Sequence, residues 1–145
     1  MTGKERRKHW GLVSPYMPAR VVADLARQQE QAGLEGTFAA QVFGPPFAPL
    51  AAAATATERL LLASGIAIAL TRSPFETAMA AIDLDRMSEG RFVLGLGASV
   101  KAWTNGLFGM PYSNPVAQMR ETVAAIRHVV AGAHSGRLAN FDGRY

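Results

Sequence analysis

Past its charged start, the chain alternates short apolar runs with longer segments of helical period. Trp10–Ser14 is an apolar run that reads as a strand and stops at Pro15 and Pro18. Pro18 suits the first turn of a helix, where a missing N–H costs nothing. Val21, Val22, Leu25 and Ala32 then share one helical face, with Arg20, Asp24, Arg27, Gln28 and Gln31 on the other and Gly33 as the stop. Gly36–Phe43 predicts a second strand running into Gly44-Pro45-Pro46, and an alanine-rich helix follows over Ala48 to Glu58. Leu60–Leu70 is too apolar for a half-exposed strand and predicts one buried on both faces, as parallel sheets require.

Ser73-Pro74-Phe75-Glu76 puts serine at the N-cap, proline at N1 and glutamate at N3, the spacing of a capping box. The helix it opens is expected to run to about Ser88, with Ala78, Ile82 and Met87 facing the core and Gly90 ending it. Arg91–Gly97 predicts a fourth strand. Asn114-Pro115 opens a fourth helix with Val116, Met119, Val123, Ile126 and Val130 as its apolar stripe. Four strand-helix units without a hairpin signal predict parallel strands joined by right-handed crossovers. Two α/β architectures fit that pattern equally, a doubly wound open sheet or part of an eight-stranded barrel.

Composition narrows the class. The chain has 145 residues, 49% of them hydrophobic and 18% charged, the balance of a globular protein. There is no cysteine, so disulfides, thiolate-bound zinc and thiol catalysis are excluded, and a cytoplasmic setting is expected. The net charge of +4 is concentrated at the start, where Lys4, Arg6, Arg7 and Lys8 against Glu5 contribute +3. Residues 1–9 read as a flexible, solvated basic tail, with contact to an anionic partner as the alternative. No basic stripe with interleaved aromatics follows, which argues against nucleic acid. No apolar segment follows the tail as in a signal peptide, and Leu60–Leu70 falls short of the roughly 20 residues a membrane helix needs. No membrane partner is expected.

The stretch Thr55–Gly97, TATERLLLASGIAIALTRSPFETAMAAIDLDRMSEGRFVLGLG, separates the two architectures. It resembles the luciferase-like monooxygenase family, flavin- or deazaflavin-dependent barrels that include bacterial luciferase. Three pieces carry the likeness: the Thr57-Glu58-Arg59-Leu60 helix end, the Arg72-Ser73-Pro74-Phe75 helix entry, and above all Leu84 to Gly97, LDRMSEGRFVLGLG. Weaker similarity covers Trp10–Phe43, including Ala32-Gly33-Leu34. Val100–Trp103 and Leu107–Pro115 resemble a branch of the family associated with coenzyme F-420. The resemblance implies a partial TIM (β/α)8 barrel of about four parallel βα units over residues 10–145. It implies an oxidoreductase or monooxygenase using reduced FMN or coenzyme F-420 on a small-molecule substrate.

Candidate site residues follow from the rule that loops leaving the carboxyl ends of barrel strands build the active face. Ser14 ends the first strand and reads either as a turn serine or as a polar contact to a ring edge. Gln41 near the end of the second offers a donor and an acceptor, or a hydrogen bond inside the mouth. Gly65-Ile66 matches the place where the family has a bulge, commonly with a non-proline cis peptide, behind the cofactor ring. The plainer reading of Gly65 is a strand glycine admitting a neighbouring side chain. Gly95, Gly97, Ala98 and Ser99 form a small-residue exit from the fourth strand that leaves room for a cofactor.

The family's acid-histidine pair at the end of the second strand falls on Gln41 and Val42, so that role is not carried over and no catalytic residue is assigned. His9, His128 and His134 lie elsewhere, in tail, helix and late loop. Because the family anchors its cofactor phosphate largely from later strands, the chain is expected to belong to a longer enzyme and to be inactive alone. Two halves pairing into one barrel is the second possibility, and the alanine helix invites a homodimer contact or reflects helix propensity alone. The rival functional reading is a catalytically inactive half-barrel, a remnant or an assembly and binding module.

Overall fold

The computed structural model describes residues 8–133, 135, 136 and 140–145. The elements in order are β1 (Trp10–Leu12), α1 (Ala19–Gln31), β2 (Gly36–Phe38), α2 (Phe47–Ala54), β3 (Leu61–Ala63), β4 (Ala67–Ile68), α3 (Pro74–Met87), β5 (Phe92–Val93), β6 (Leu96–Gly97) and α4 (Pro115–Ala133). A 3-10 turn spans Ala69–Thr71 and a π-helical turn Ala102–Leu107. The helix signals hold at residue level. Gly33 adopts φ +78° at the end of α1, the Ser73 Oγ accepts from the Glu76 N–H at 3.1 Å, and Asn114 Oδ1 accepts from the Ala117 N–H at 3.2 Å.

Every strand pair is parallel, and the sheet order β1-β2-β3-β5 follows the chain. A doubly wound sheet reverses direction at its middle; this one does not. Each helix packs on the next, α1 on α2, α2 on α3 and α3 on α4, so all four cover one face. Sequential parallel order with helices on a single side is the barrel arrangement.

The core lies between that sheet face and the helices, where Val13, Ala39, Leu60 and Leu62 meet Val22, Ala26, Leu50, Ala53 and Leu84. The opposite face is uncovered: Leu12 and Val93 are about half exposed, and Leu61 and Ala63 are only partly buried. Burial of Leu60–Leu70 on both faces is therefore corrected, because only one face has a packed layer against it among the described residues. All four strands are also shorter than their apolar runs, the first ending at Leu12 rather than Ser14. The second ends at Phe38 rather than Phe43, and the third and fourth each break in the middle.

Two helices turn a different face inward than their largest residues suggested. In α3, Thr77, Ala78, Ala81 and Leu84 are buried while Ile82 is half-buried and Met87 exposed. In α4 the buried stripe is Thr122, Ala125, Ile126 and Val129, with Val116 and Val130 exposed. Small side chains at Ala78, Ala81 and Ala125 let the helices approach closely, and that contact sets the rotation. The alanines of α2 serve the same purpose inside the chain, with Ala53 and Ala54 buried.

Two ionic groups lock the amino-terminal ends of the strands. The Arg91 guanidinium donates to Ser88 O, Thr57 Oγ1, Leu60 O, Ala54 O and Thr57 O at 2.7–3.2 Å, tying the turn before β5 to the entry of β3. Glu30 Oε1 accepts the consecutive N–H groups of Glu58, Arg59 and Leu60. Burial pushes the Glu30 carboxyl up, but those three bonds and the nearby Arg59 charge outweigh it and hold its pKa below the ordinary 4.5. Lys8 adds an exposed ion pair to Glu35; residues 1–7 of the basic tail lie outside the described residues. Among the described residues no helix is long and apolar enough to cross a membrane.

Arg91→Lys is expected to lower stability by about 2–3 kcal/mol in urea unfolding, since an ammonium cannot make the fork and leaves shielded carbonyls unpaired. Glu30→Gln should lower the melting temperature at neutral pH. A depressed folded pKa contributes stability above the unfolded value that is lost as pH falls through the folded one, so the wild-type advantage should shrink below about pH 4.5. A difference that stays constant down to pH 3 would deny Glu30 this role.

Candidate functional site

The breaks in the third and fourth strands occur side by side and make one corner. Between β3 and β4 the buried Ser64 donates its Oγ–H to Gly95 O at 2.8 Å, and its Oγ accepts the Gly95 N–H at 2.7 Å. The hydroxyl thus replaces a stretch of ladder that a straight strand would have supplied. Gly65 takes φ +58°, a left-handed conformation that glycine adopts freely. A Cβ on Gly95 would lie 2.5 Å from Gly65 O, so the two backbones touch only because Gly95 lacks one. Beyond the corner, pairing resumes in parallel, with Ala67 opposite Leu96 and Ile68 opposite Gly97.

That corner brings the third- and fourth-strand candidates to one rim. Gly65 and Ile66 occupy the bend itself, and Gly97, Ala98 and Ser99 leave β6 beside it. The Ile66 side chain is 49% exposed and covers Gly97, where an added Cβ would meet Ile66 Cγ2 at 2.9 Å. On its other side Gly65 admits the Phe38 ring, 2.8 Å from a built Cβ. Described peptide bonds are all trans, so the cis peptide expected at Gly65-Ile66 is corrected. The left-handed glycine makes the bend by rotation about φ. Ser99 has φ +61°, and its carbonyl accepts from the Tyr112 hydroxyl at 3.2 Å.

Ser14 and Gln41 stand at the carboxyl ends of the first two strands. Ser14 Oγ accepts from the Tyr16 N–H at 3.3 Å, as a turn serine does. Gln41 is buried and braces the rim. Its N–H donates to Ile66 O at 2.9 Å, and its Oε1 accepts from the Ile68 N–H at 3.0 Å and from Arg72 Nη2 at 2.9 Å. The Arg72 guanidinium lies over the Phe47 ring at 5.3 Å, and burial pulls its pKa below the usual guanidinium value. Both acceptor positions of the Gln41 carbonyl are taken, so its amide N–H groups are what it can offer a ligand.

Ser64 and Arg72 do structural work at this rim that the sequence reading did not assign them, and Gly95, read there only as part of a small-residue exit, joins them. Their signals were a lone hydroxyl within an apolar run, a glycine two residues before Gly97, and a single cation between that run and a helix cap. His128 is exposed on α4 with its ring centroid 6.0 Å from that of Phe141, while His134 lies outside the described residues.

Residues 5–145 match the luciferase-like monooxygenase family. An uncharacterized protein of Mycobacterium tuberculosis is 37% identical over all 145 residues, which cover 42% of that protein. A second protein of that organism, named as a candidate coenzyme F-420-dependent oxidoreductase, is 35% identical over 124 residues, or 85% of this chain and 35% of its own length. Among solved structures, the coenzyme F-420-dependent tetrahydromethanopterin reductase of Methanopyrus kandleri superposes with a TM-score of 0.74 at 24% identity, over 94% of this chain and 42% of that one. The oxygenating constituent of 3,6-diketocamphane monooxygenase from Pseudomonas putida, in complex with FMN, has a TM-score of 0.73 at 19% identity, covering 84% and 39%. The chain thus spans less than half the length of the curated relatives it matches.

Gly95→Ala is expected to cost about 2 kcal/mol by forcing the two backbones apart. Ser64→Ala should cost a similar amount by unpairing the Gly95 N–H. Urea unfolding checks both. If the corner is the joint described here, the double variant loses less than the sum, because either change alone opens the same contact.

Proposed function

The chain belongs to the luciferase-like monooxygenase family, and on that footing we propose that its rim forms part of the seat for reduced FMN or coenzyme F-420 in an oxidoreductase acting on a small-molecule substrate. The observation that carries this reading is the corner at Ser64 and Gly95, which gathers Gly65, Ile66, Gly97, Ala98 and Ser99 at the carboxyl ends of two adjacent strands. Those residues fit a flat ring. Ile66 presents a half-exposed apolar surface, and Gly65, Gly97, Ala98 and Ser99 beside it carry small side chains or none.

Polar edges complete the fit. Ser14 keeps a hydroxyl proton to donate, and Gln41 offers its amide N–H groups toward a ring carbonyl while Arg72 and the Ile68 N–H hold its orientation. When bound, the cofactor supplies the hydride or, for FMN with oxygen, the oxygenating chemistry. The residues of this chain orient it and shield one side from water. They supply no titratable group at the Gln41–Val42 position, so proton transfer has to come from water, the cofactor or groups beyond these residues. Names among the relatives support both cofactor classes, coenzyme F-420 in two and FMN in the third.

Titration of the folded chain with FMN and with coenzyme F-420, each followed by its fluorescence, is expected to give saturable binding of at least one. Ile66→Asp should weaken that binding by about tenfold or more, because a charge would have to lie against the ring. Its melting temperature should stay near wild type, since Ile66 is half exposed. A folded sample that binds neither cofactor removes the proposal.

A further inference from the structure

Beside the rim lies a cavity of about 750 Å³, between the turn after β4, the start of α3, α4 and the segment 140–145. That is the size of a small-molecule site. We propose that it takes an oxyanion, a carboxylate or phosphate, carried by the substrate, with Arg72 as the residue that pairs it. The assignment to substrate rests on the functional reading above; the binding of an oxyanion does not.

Arg72 is fixed on one side and uncommitted on the other. Nη2 is held by Gln41 and the guanidinium plane rests on Phe47, while Nη1 is shielded yet meets no hydrogen-bond partner among the described residues. Glu121 and Asp142 line the same cavity, but the described ion pairs join other residues: Lys8 with Glu35, Arg27 with Asp24, and Arg86 with Asp83. Glu121 Oε1 is engaged by the Tyr145 N–H at 2.7 Å. A half-buried cation held in one plane, with no described counter-ion, is matched by a planar or tetrahedral oxyanion.

The surroundings agree. Ser73 and Phe75 bring the amino-terminal turn of the 14-residue α3 to the cavity wall, which adds positive potential. Across the cavity, Gln118 Oε1 is buried without a described partner and is suited to a ligand hydroxyl. Leu70, Phe75 and Val129 supply apolar wall. The ligand class is a small organic acid or phosphate ester with a hydroxyl group and an apolar body. Through Gln41 the same arginine is hydrogen-bonded to the strand that carries Ile66, so the cavity and the rim share one brace.

The test is NMR of the Arg72 guanidinium nitrogens during titration of the chain with inorganic phosphate, benzoate and neutral benzamide. FMN, riboflavin and coenzyme F-420 are titrated in parallel. Phosphate or benzoate should shift the Arg72 signals saturably and benzamide should not. Arg72→Gln should weaken that binding tenfold or more and Arg72→Lys should restore part of it, while FMN and riboflavin should change in affinity together, because the Gln41 brace that Arg72 holds lies at the ring they share. Arg72 signals unmoved by either oxyanion overturn the site, whatever the cofactors do. An Arg72→Gln variant that loses FMN but not riboflavin assigns the arginine to the cofactor phosphate and overturns the assignment to substrate. Oxyanion binding by a chain that binds no cofactor keeps the site and sinks only the functional reading. If Arg72→Gln does not fold, the wild-type titration decides alone.

Discussion

Everything at the rim takes its place from one hydroxyl and two glycines. A parallel ladder that breaks must find partners for its freed backbone groups, and the third and fourth strands break at the same level. Ser64 resolves both sides at once by donating to and accepting from Gly95, while Gly65 turns the chain and Gly95 leaves room for the turn. Had only one strand bent, the pairing of Ala67 with Leu96 and of Ile68 with Gly97 could not resume. The coupled bend turns an apolar strand into a platform. It sends Ile66 into the open and sets Gly97 beneath it.

The opposite end of the sheet is built for a different purpose. Arg91 gives its donors to five oxygens at the strand entrances, and Glu30 Oε1 accepts three backbone N–H groups there. Barrels usually divide their roles in this way, with stability at the amino ends and chemistry at the carboxyl ends. That division also explains why Ser88 to Phe92, within the most specific stretch of sequence resemblance at Leu84 to Gly97, is not itself a binding motif. The serine and glycine shape a tight turn, with Gly90 at φ +82°, and the turn aims the arginine across to Thr57 and Leu60.

The strand-helix alternation, the caps at Ser73 and Asn114 and the parallel connection were legible in the sequence because each rests on a local cause: a period, a capping side chain, a proline at the first turn. The breaks in Leu60–Leu70 and Arg91–Gly97 were not, because apolar runs report burial and carry no mark of where hydrogen bonding stops. Helix rotation was misjudged for a related reason. Large side chains such as Met87 and Val116 look like core residues, yet close packing of α3 on α4 favours alanine and threonine at the contact. At the site, strand order alone brought Gly65–Ile66 and Gly97–Ser99 together. What Gln41 and Arg72 do depends on partners 27 to 31 residues distant, and no periodicity reaches that far.

The three ionic groups that matter here differ in what they have left over. Burial makes an ionised side chain costly unless its hydrogen-bonding capacity is met. Glu30 meets it with three backbone N–H groups and Arg91 with five oxygens, and both are explained in full by the fold. Arg72 is the exception among them, with one nitrogen engaged, a ring beneath it and another shielded nitrogen unmatched among the described residues. A fold that spent a buried cation only on orienting Gln41 could have done so with a neutral donor at lower desolvation cost. The charge is therefore the feature that structure alone does not account for. The Arg72 side chain lines a cavity, and it is there that a ligand would supply the missing counter-charge.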